Sequence, residues 1–413
     1  MANQRKYKVK HNSKPMFKQK RKKGNSVLGI IFMIILLAAL VFAGYSVGKP
    51  IVEFFSGERS SPTATTDAST GSSESTVTEA TTTALASETT EATTSEPEPT
   101  VAVGTNIYYI SYSSDTADYE TYVYSAVNYA AENGYIGVCV ELIAEGGAIT
   151  YSSANTTATE SGAVISGSIS DLGDLVSTIN DLGLSAYARI STLSDNIAST
   201  YDKTLAYMIS GTDTRWYDDN TANGGKPWIS PYSSSAAEYI TDLVSEISDA
   251  GFVGLIAGEI EFPPFRSSDI RNYFADTDVA SSTRYETLIS FAETVYNSFG
   301  SAKEFYIEVN AEDIISGDAE ILTDTDSLCT SVIYVNFNPD NIGTRVSRAD
   351  GTEVSFEGLN TAYLFRTVFN LVEESLEGTG VTIIPKITGC EITDDLLSAI
   401  ELMGYNSSVI IEE

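Results

Sequence analysis

From Asn106 onward, short β-rich runs alternate with longer stretches whose apolar residues recur every three or four positions. The runs are Ile107–Tyr112, Tyr135–Leu142, Leu184–Ile190, Phe252–Ala257, Glu304–Val309, Ser331–Phe337, Val381–Lys386 and Ser407–Ile411. Between them, Ile169, Leu172, Leu175, Val176, Ile179 and Leu182 fall on one helical face, and Ala236, Ile240, Leu243, Val244 and Ile247 on a second. A third face carries Leu288, Ile289, Ala292, Val295 and Phe299, and a fourth Leu359, Ala362, Phe365, Val368, Phe369 and Val372. Parallel strands need crossovers, and amphipathic helices supply them. Eight such strands predict an α/β fold, a (β/α)8 TIM-like barrel over residues 101–413. An open, doubly wound sheet is the alternative. The chain stops soon after the eighth run, so the barrel is expected to be open or differently covered on that side.

The segment before the barrel divides into three. Residues 1–26 hold ten Lys/Arg and no acid. Val27 to Val47 is uncharged and mostly apolar, long enough to cross the roughly 30 Å hydrocarbon core as a helix. A cleaved signal peptide is the competing reading, with Val41-Phe42-Ala43 as a passable cleavage site; the long basic stretch and the length of the apolar run favour a retained anchor. Basic residues remain inside. The expectation is a single-pass protein of the cell membrane, touching the bilayer through residues 27–47, with a cytoplasmic N-terminus and the barrel outside. Residues 48–100, rich in Ser, Thr and Glu with few large apolar groups, cannot bury enough surface to offset ordering entropy and read as a disordered linker.

Charge and two scarce residue types exclude several functions. Residues 53–413 carry 13 Lys/Arg against all 56 Asp/Glu, a net −43, which repels nucleic acid and other polyanions. Neutral or cationic partners remain, and neutral polysaccharide or the glycan of peptidoglycan fits. The single histidine, His11, lies in the basic tail, so the barrel has neither His-dependent nucleophile systems nor His-ligated metal sites. Cys139, Cys329 and Cys390 are far apart and odd in number, which is no disulfide framework. No cofactor or metal is called for. Chemistry falls to carboxylates, Tyr, Lys, Arg and amides.

In a barrel of this kind the site lies at the C-terminal ends of the strands. Those ends present Glu141, Arg189, Glu259, Glu261, Glu308 and Asn336, with Tyr151, Trp216, Trp228 and Tyr232 nearby. Glycoside hydrolysis needs two carboxyl groups flanking the scissile bond, one held protonated, and aromatic faces suit sugar rings. Glu261 is the candidate acid, with Glu259, Glu141 or Glu308 as its partner. Arg189, Tyr151, Trp228, Tyr232 and Asn336 are the candidate substrate contacts.

The ordered set Gly147-Ala-Ile-Thr-Tyr151, Tyr187-Ala-Arg-Ile190, Ser194-Asp195, Lys226-Pro-Trp-Ile-Ser-Pro-Tyr232, Tyr239, Gly251-Phe252 and Phe262-Pro263 resembles the bacterial putative glycoside hydrolase domain family. The resemblance extends over most of residues 105–413 and implies a TIM barrel acting on glycans. Two acids of the family pattern are absent: its Lys-Asp pair falls on Ile143-Ala144, and its Asp-Tyr-x-Arg falls on Gly258-Glu259-Ile260-Glu261. A one-residue shift along a strand turns a side chain to the other face, so neighbouring glutamates do not simply replace those aspartates. Glu259-Ile-Glu-Phe-Pro263 also resembles the Asp-Trp-Glu-Tyr-Pro strand end of chitinase-like barrels, which implies Glu261 as acid and Glu259 as its partner. Three expectations follow: an enzyme acting on cell-surface or environmental polysaccharide, a non-catalytic carbohydrate-binding barrel, or a structural surface barrel.

Overall fold

The structure, a computed structural model, describes residues 106–412. The basic tail, the apolar run and the linker lie outside the described residues. Among the described residues no helix is long and apolar enough to cross a membrane.

All eight expected strands form, with boundaries within three residues of those read from the sequence. They are β1 (Ile107–Ile110), β2 (Gly137–Ile143), β3 (Ser185–Ser191), β4 (Gly254–Gly258), β5 (Glu304–Asn310), β6 (Val332–Phe337), β7 (Thr382–Ile387) and β8 (Ile410–Ile411). Each pairs in parallel with its successor, and β8 pairs with β1 through Ile107↔Ile410 and Tyr108↔Ile411. The sheet therefore closes into a barrel. The open side expected near the eighth strand is corrected: two residues of β8 suffice to bridge β7 and β1.

The crossovers are α1 (Tyr119–Glu132), α2 (Leu172–Asp181), α3 (Ser234–Asp249), α4 (Tyr285–Phe299), the short α5 (Ala311–Ser316), α6 (Thr361–Ser375) and α7 (Asp394–Leu402). Short polar side chains start them: Asp118, Asp171, Ser233, Asn360 and Thr393 each accept a backbone N–H of the first turn. At the other end, Gly134 and Gly183 follow α1 and α2 with φ of 78° and 79°, where a side chain would be strained. Three residues assigned to helical faces sit elsewhere. Ile169 closes a small extra strand, Val164–Ile169; Leu182 caps α2 and is exposed; Leu359 precedes α6 and is exposed.

The period-two alternation of the strands separates two cores. One set of side chains, including Val138, Val140, Ala186, Ala188, Leu255, Ala257, Ile307 and Val335, packs outward against the helices. The other set points into the barrel. Its lower part is apolar: Tyr109, Cys139, Ile256, Tyr334 and Ile410 pack with Tyr187, Tyr306 and Ile384. Its upper part, one step along each strand, is charged: Glu141, Arg189, Glu308 and Lys386, all buried.

Two glycines make room for the large interior groups. A Cβ on Gly254 would stand 2.4 Å from the Tyr187 ring, and one on Gly258 would stand 2.5 Å from Nη2 of Arg189. Gly258→Ala is expected to cost about 1–3 kcal/mol by overpacking, read from urea denaturation. A change below about 0.5 kcal/mol would mean that the guanidinium moves aside without loss.

Candidate active site at the barrel rim

Arg189 is the centre of the charged layer. Because β3 alternates, Tyr187 and Arg189 point inward while Ala188 and Ile190 face the helices. Its Nη1 donates to Glu141 Oε1 at 3.1 Å. Its Nη2 donates to Glu259 Oε1 and to Glu308 Oε1, the latter at 3.3 Å, and Nε reaches Glu308 Oε2 at 3.4 Å. Lys386 Nζ holds both oxygens of Glu308, at 3.0 and 2.9 Å, and lies 4.2 Å above the Tyr109 ring. Glu141 Oε2 accepts the Tyr112 backbone N–H at 2.8 Å.

Three carboxylates thus share two cations, and their environments differ. Burial alone would raise the Glu308 carboxyl, but Arg189 and Lys386 outweigh it and hold the group at about 2. Glu259 moves the other way: burial and the nearby Glu308 charge raise it against the pull of Arg189. The side chains of Glu141 and Glu308 are 11% and 5% exposed, that of Glu259 18%, so Glu259 is the most accessible of the three. Its Oε2 is buried without a hydrogen-bond partner.

Glu259 also bends the chain. It has φ +52°, a left-handed conformation that costs a non-glycine residue on the order of 1–3 kcal/mol. Thr192 donates its backbone N–H and its hydroxyl to Gly258 O, and Leu193 N–H donates to Glu259 O, which holds the turn in place. Two residues on, Glu261 lines a narrow groove of about 20 Å³, room for about one water molecule, together with Glu259, Glu308, Asn310, Asp313 and Glu320. Burial first, then the charges of Glu259, Asp313 and Glu145, push the Glu261 carboxyl up to about 8. At neutral pH it carries a proton it can donate.

Trp228 and Asp218 border a cleft of about 350 Å³ on the β2–β3 side of the rim. Asn336, at the end of β6, is half-buried, donates from Nδ2 to Asn310 Oδ1 at 3.2 Å and accepts from Thr388. Tyr232 is also half-buried, its ring stacked on Phe262 with 6.2 Å between centroids. Tyr151 corrects an expectation. After β2 the chain doubles back, pairing Ile143 with Ile149 in antiparallel sense, and carries Tyr151 to α3. There it is 1% exposed and donates to Glu246 Oε2 at 3.0 Å, so its ring offers no face to a ligand. Trp216 is likewise enclosed, 2% exposed among Tyr207, Phe265 and Phe274.

Sequence reasoning did not single out Asp313, Asp218 or the pairing of Lys386 with Glu308. Lys386 had a signal in its inward parity on β7, and Asp313 in its position just past the end of β5. Asp218 lies in a loop with no periodicity to place it.

Asp195, part of the ordered motif set, is structural in its contacts. It accepts the Ala198 N–H at 2.8 Å as a helix cap and the Tyr239 hydroxyl at 3.3 Å, and burial pushes it up to about 6. The folded protein therefore holds a proton that the unfolded chain has already released. This contribution is full below pH 4 and is lost as pH rises through 6. Asp195→Asn is expected to gain stability relative to the parent between pH 4 and 7, by on the order of 3 kcal/mol, in urea titrations at the two values. Parallel pH dependence in both proteins would contradict this.

Comparison with known proteins places the chain. No curated protein matches it. Among solved structures, it resembles a hypothetical protein from Ruminiclostridium thermocellum ATCC 27405 at 17% identity and a TM-score of 0.36, over 45% of this chain and 89% of that one. It resembles a GH20 exo-β-N-acetylglucosaminidase from Vibrio harveyi at 11% identity and 0.44, over 70% of this chain but only 42% of that one. It resembles the glycoside hydrolase domain of PelA from Pseudomonas aeruginosa at 11% and 0.38, over 74% and 93%. These likenesses are too distant to carry an argument about chemistry. The family model described as "Putative glycosyl hydrolase domain" matches residues 107–323, from β1 to just past α5, a narrower span than the motif resemblance implied. With just over half of its length matched, this chain belongs to the putative glycosyl hydrolase domain family.

Proposed function

We propose that the chain hydrolyses glycosidic bonds in cell-surface or environmental polysaccharide, from a barrel held outside the cytoplasm by the apolar run at 27–47. The observation that carries the reading is Glu261: a carboxyl at the rim of a barrel of this family, held protonated at neutral pH by burial and by the surrounding acids. In this reading Glu261 protonates the leaving oxygen. Among the other nominated carboxylates, Glu259 is the best placed partner. Glu308 has both oxygens committed to Lys386 and Arg189, and Glu141 is held by Arg189 and Tyr112, whereas Glu259 is bonded to Arg189 through one oxygen and is the most exposed of the three. Arg189 orients Glu259 from below. Trp228 and Asn336 then serve as glycan contacts.

One observation favours a second reading. The ion pairs of Arg189 and Lys386 take up most of the carboxylate oxygens below the rim, as befits a barrel that binds glycan without cutting it. A single experiment separates the two: incubate the full chain with a panel of neutral polysaccharides and peptidoglycan and measure released reducing ends. Release is the expected result. No release from any substrate at high protein concentration would leave the binding or structural reading, and pull-down on the same panel would divide those.

A further inference from the structure

The cleft on the β2–β3 side of the rim is lined by Glu145, Ser194, Asn196, Asp218, Lys226 and Trp228. Its volume of about 350 Å³ is at the small end of ligand sites, room for one or two sugar rings. Asp218 is fixed on both oxygens. The Lys226 backbone N–H donates to Oδ1 at 2.7 Å, and the Trp228 indole N–H donates to Oδ2 at 3.1 Å. Each oxygen keeps a lone pair, so the carboxylate presents two acceptors at a set spacing. The same bond holds the indole ring, which is half-buried and keeps one part in the cleft. A planar aromatic surface beside a rigid pair of acceptors matches a pyranose: an apolar ring face over the indole and two neighbouring hydroxyls donating to the carboxylate.

Charge selects among sugars. Glu145 and Asp218 outnumber Lys226 in the cleft, in a chain whose barrel portion is strongly acidic, which disfavours sulfated, phosphorylated or uronic rings. Position links the cleft to the rim, since Glu145 lies close enough to Glu261 to raise its carboxyl.

We propose that this cleft binds a pyranose ring of an uncharged glycan, stacked on Trp228 and hydrogen-bonded through two adjacent hydroxyls to Asp218. The inference deepens the glycosidase reading by naming the substrate class, and rests on it only for the neighbouring scissile bond. Binding is therefore measured without turnover. Trp216 and Trp228 are the chain's two tryptophans, and Trp216 is enclosed, so intrinsic fluorescence reports the cleft. The full chain carrying Glu261→Gln is titrated with cellohexaose, laminarihexaose, xylohexaose and chitohexaose, with heparin as the polyanion. At least one neutral hexasaccharide is expected to give a saturable change, kept in Trp216→Phe and lost in Trp228→Phe. Asp218→Ala is expected to weaken it at least tenfold, and Asp218→Asn, which keeps one acceptor but sets its amide N–H against one of the two loop donors, to weaken it less. Failure of all four neutral probes, tighter binding of heparin, or indifference to both Asp218 variants in proteins with the parental melting temperature would overturn the proposal. Hydrolysis by the parent without any fluorescence change would retire the cleft and leave Glu261. A fluorescence change without hydrolysis would do the reverse.

Discussion

Glu261→Gln is expected to lower the release of reducing ends by about two to four orders of magnitude, the usual contribution of a positioned general acid. Glutamine keeps the size of the side chain and removes only the transferable proton. The pH profile adds a second readout. With the Glu261 carboxyl at about 8, parent activity should hold through neutral pH and fall above pH 8, far above the ordinary range for a glutamic acid. Stability should follow the same group. The folded state keeps its proton while the unfolded chain loses one near the ordinary carboxylate value, so this contribution falls as pH rises toward 8. The variant, which cannot ionise, lacks that slope. A variant retaining more than about a tenth of the activity would remove Glu261 from the chemistry, because a general acid contributes far more than tenfold. An alkaline limb near pH 5 would instead mean that the rim does not hold the proton.

Arg189→Met is expected to destabilise the barrel by about 3–5 kcal/mol, enough to threaten folding in a domain whose total stability is of the order of 5–15 kcal/mol. Methionine fills much of the volume but leaves Glu141 and Glu259 buried without a cation and Glu308 with Lys386 alone. Arg189→Lys should rescue little. The guanidinium reaches three carboxylates with all three of its nitrogens, a fork that one ammonium cannot reproduce. Urea denaturation followed by circular dichroism at pH 7 measures the loss. A cost below about 1 kcal/mol would imply that water enters the charged layer and solvates the carboxylates, as at a surface ion pair.

The residues that carry the site were legible to unequal degrees. Arg189, Glu259 and Glu261 could be picked out because strand ends in a barrel converge on one rim. Their present arrangement could not. Glu259 sits next to the inward-facing Gly258, and only its left-handed backbone brings its side chain round to Arg189. Tyr151 and Trp228 read alike as aromatic residues near the rim. One was carried against α3 by the reversal at Ile143–Ile149, and the other was held in a cleft by Asp218, ten residues earlier in a loop.

The chain's own periodicity marked out the strands and crossovers: β-rich runs for eight strands and period-3.6 faces for the helices. These are local properties, set by backbone sterics and by which face of an element must leave water. Whether the eighth strand would meet the first, which carboxylates would share Arg189 and Lys386, and why Glu261 holds its proton emerge only once the chain is folded. Those outcomes depend on distances and burial between residues as far apart in the chain as Glu141 and Lys386, and Coulomb energies and desolvation change steeply with both.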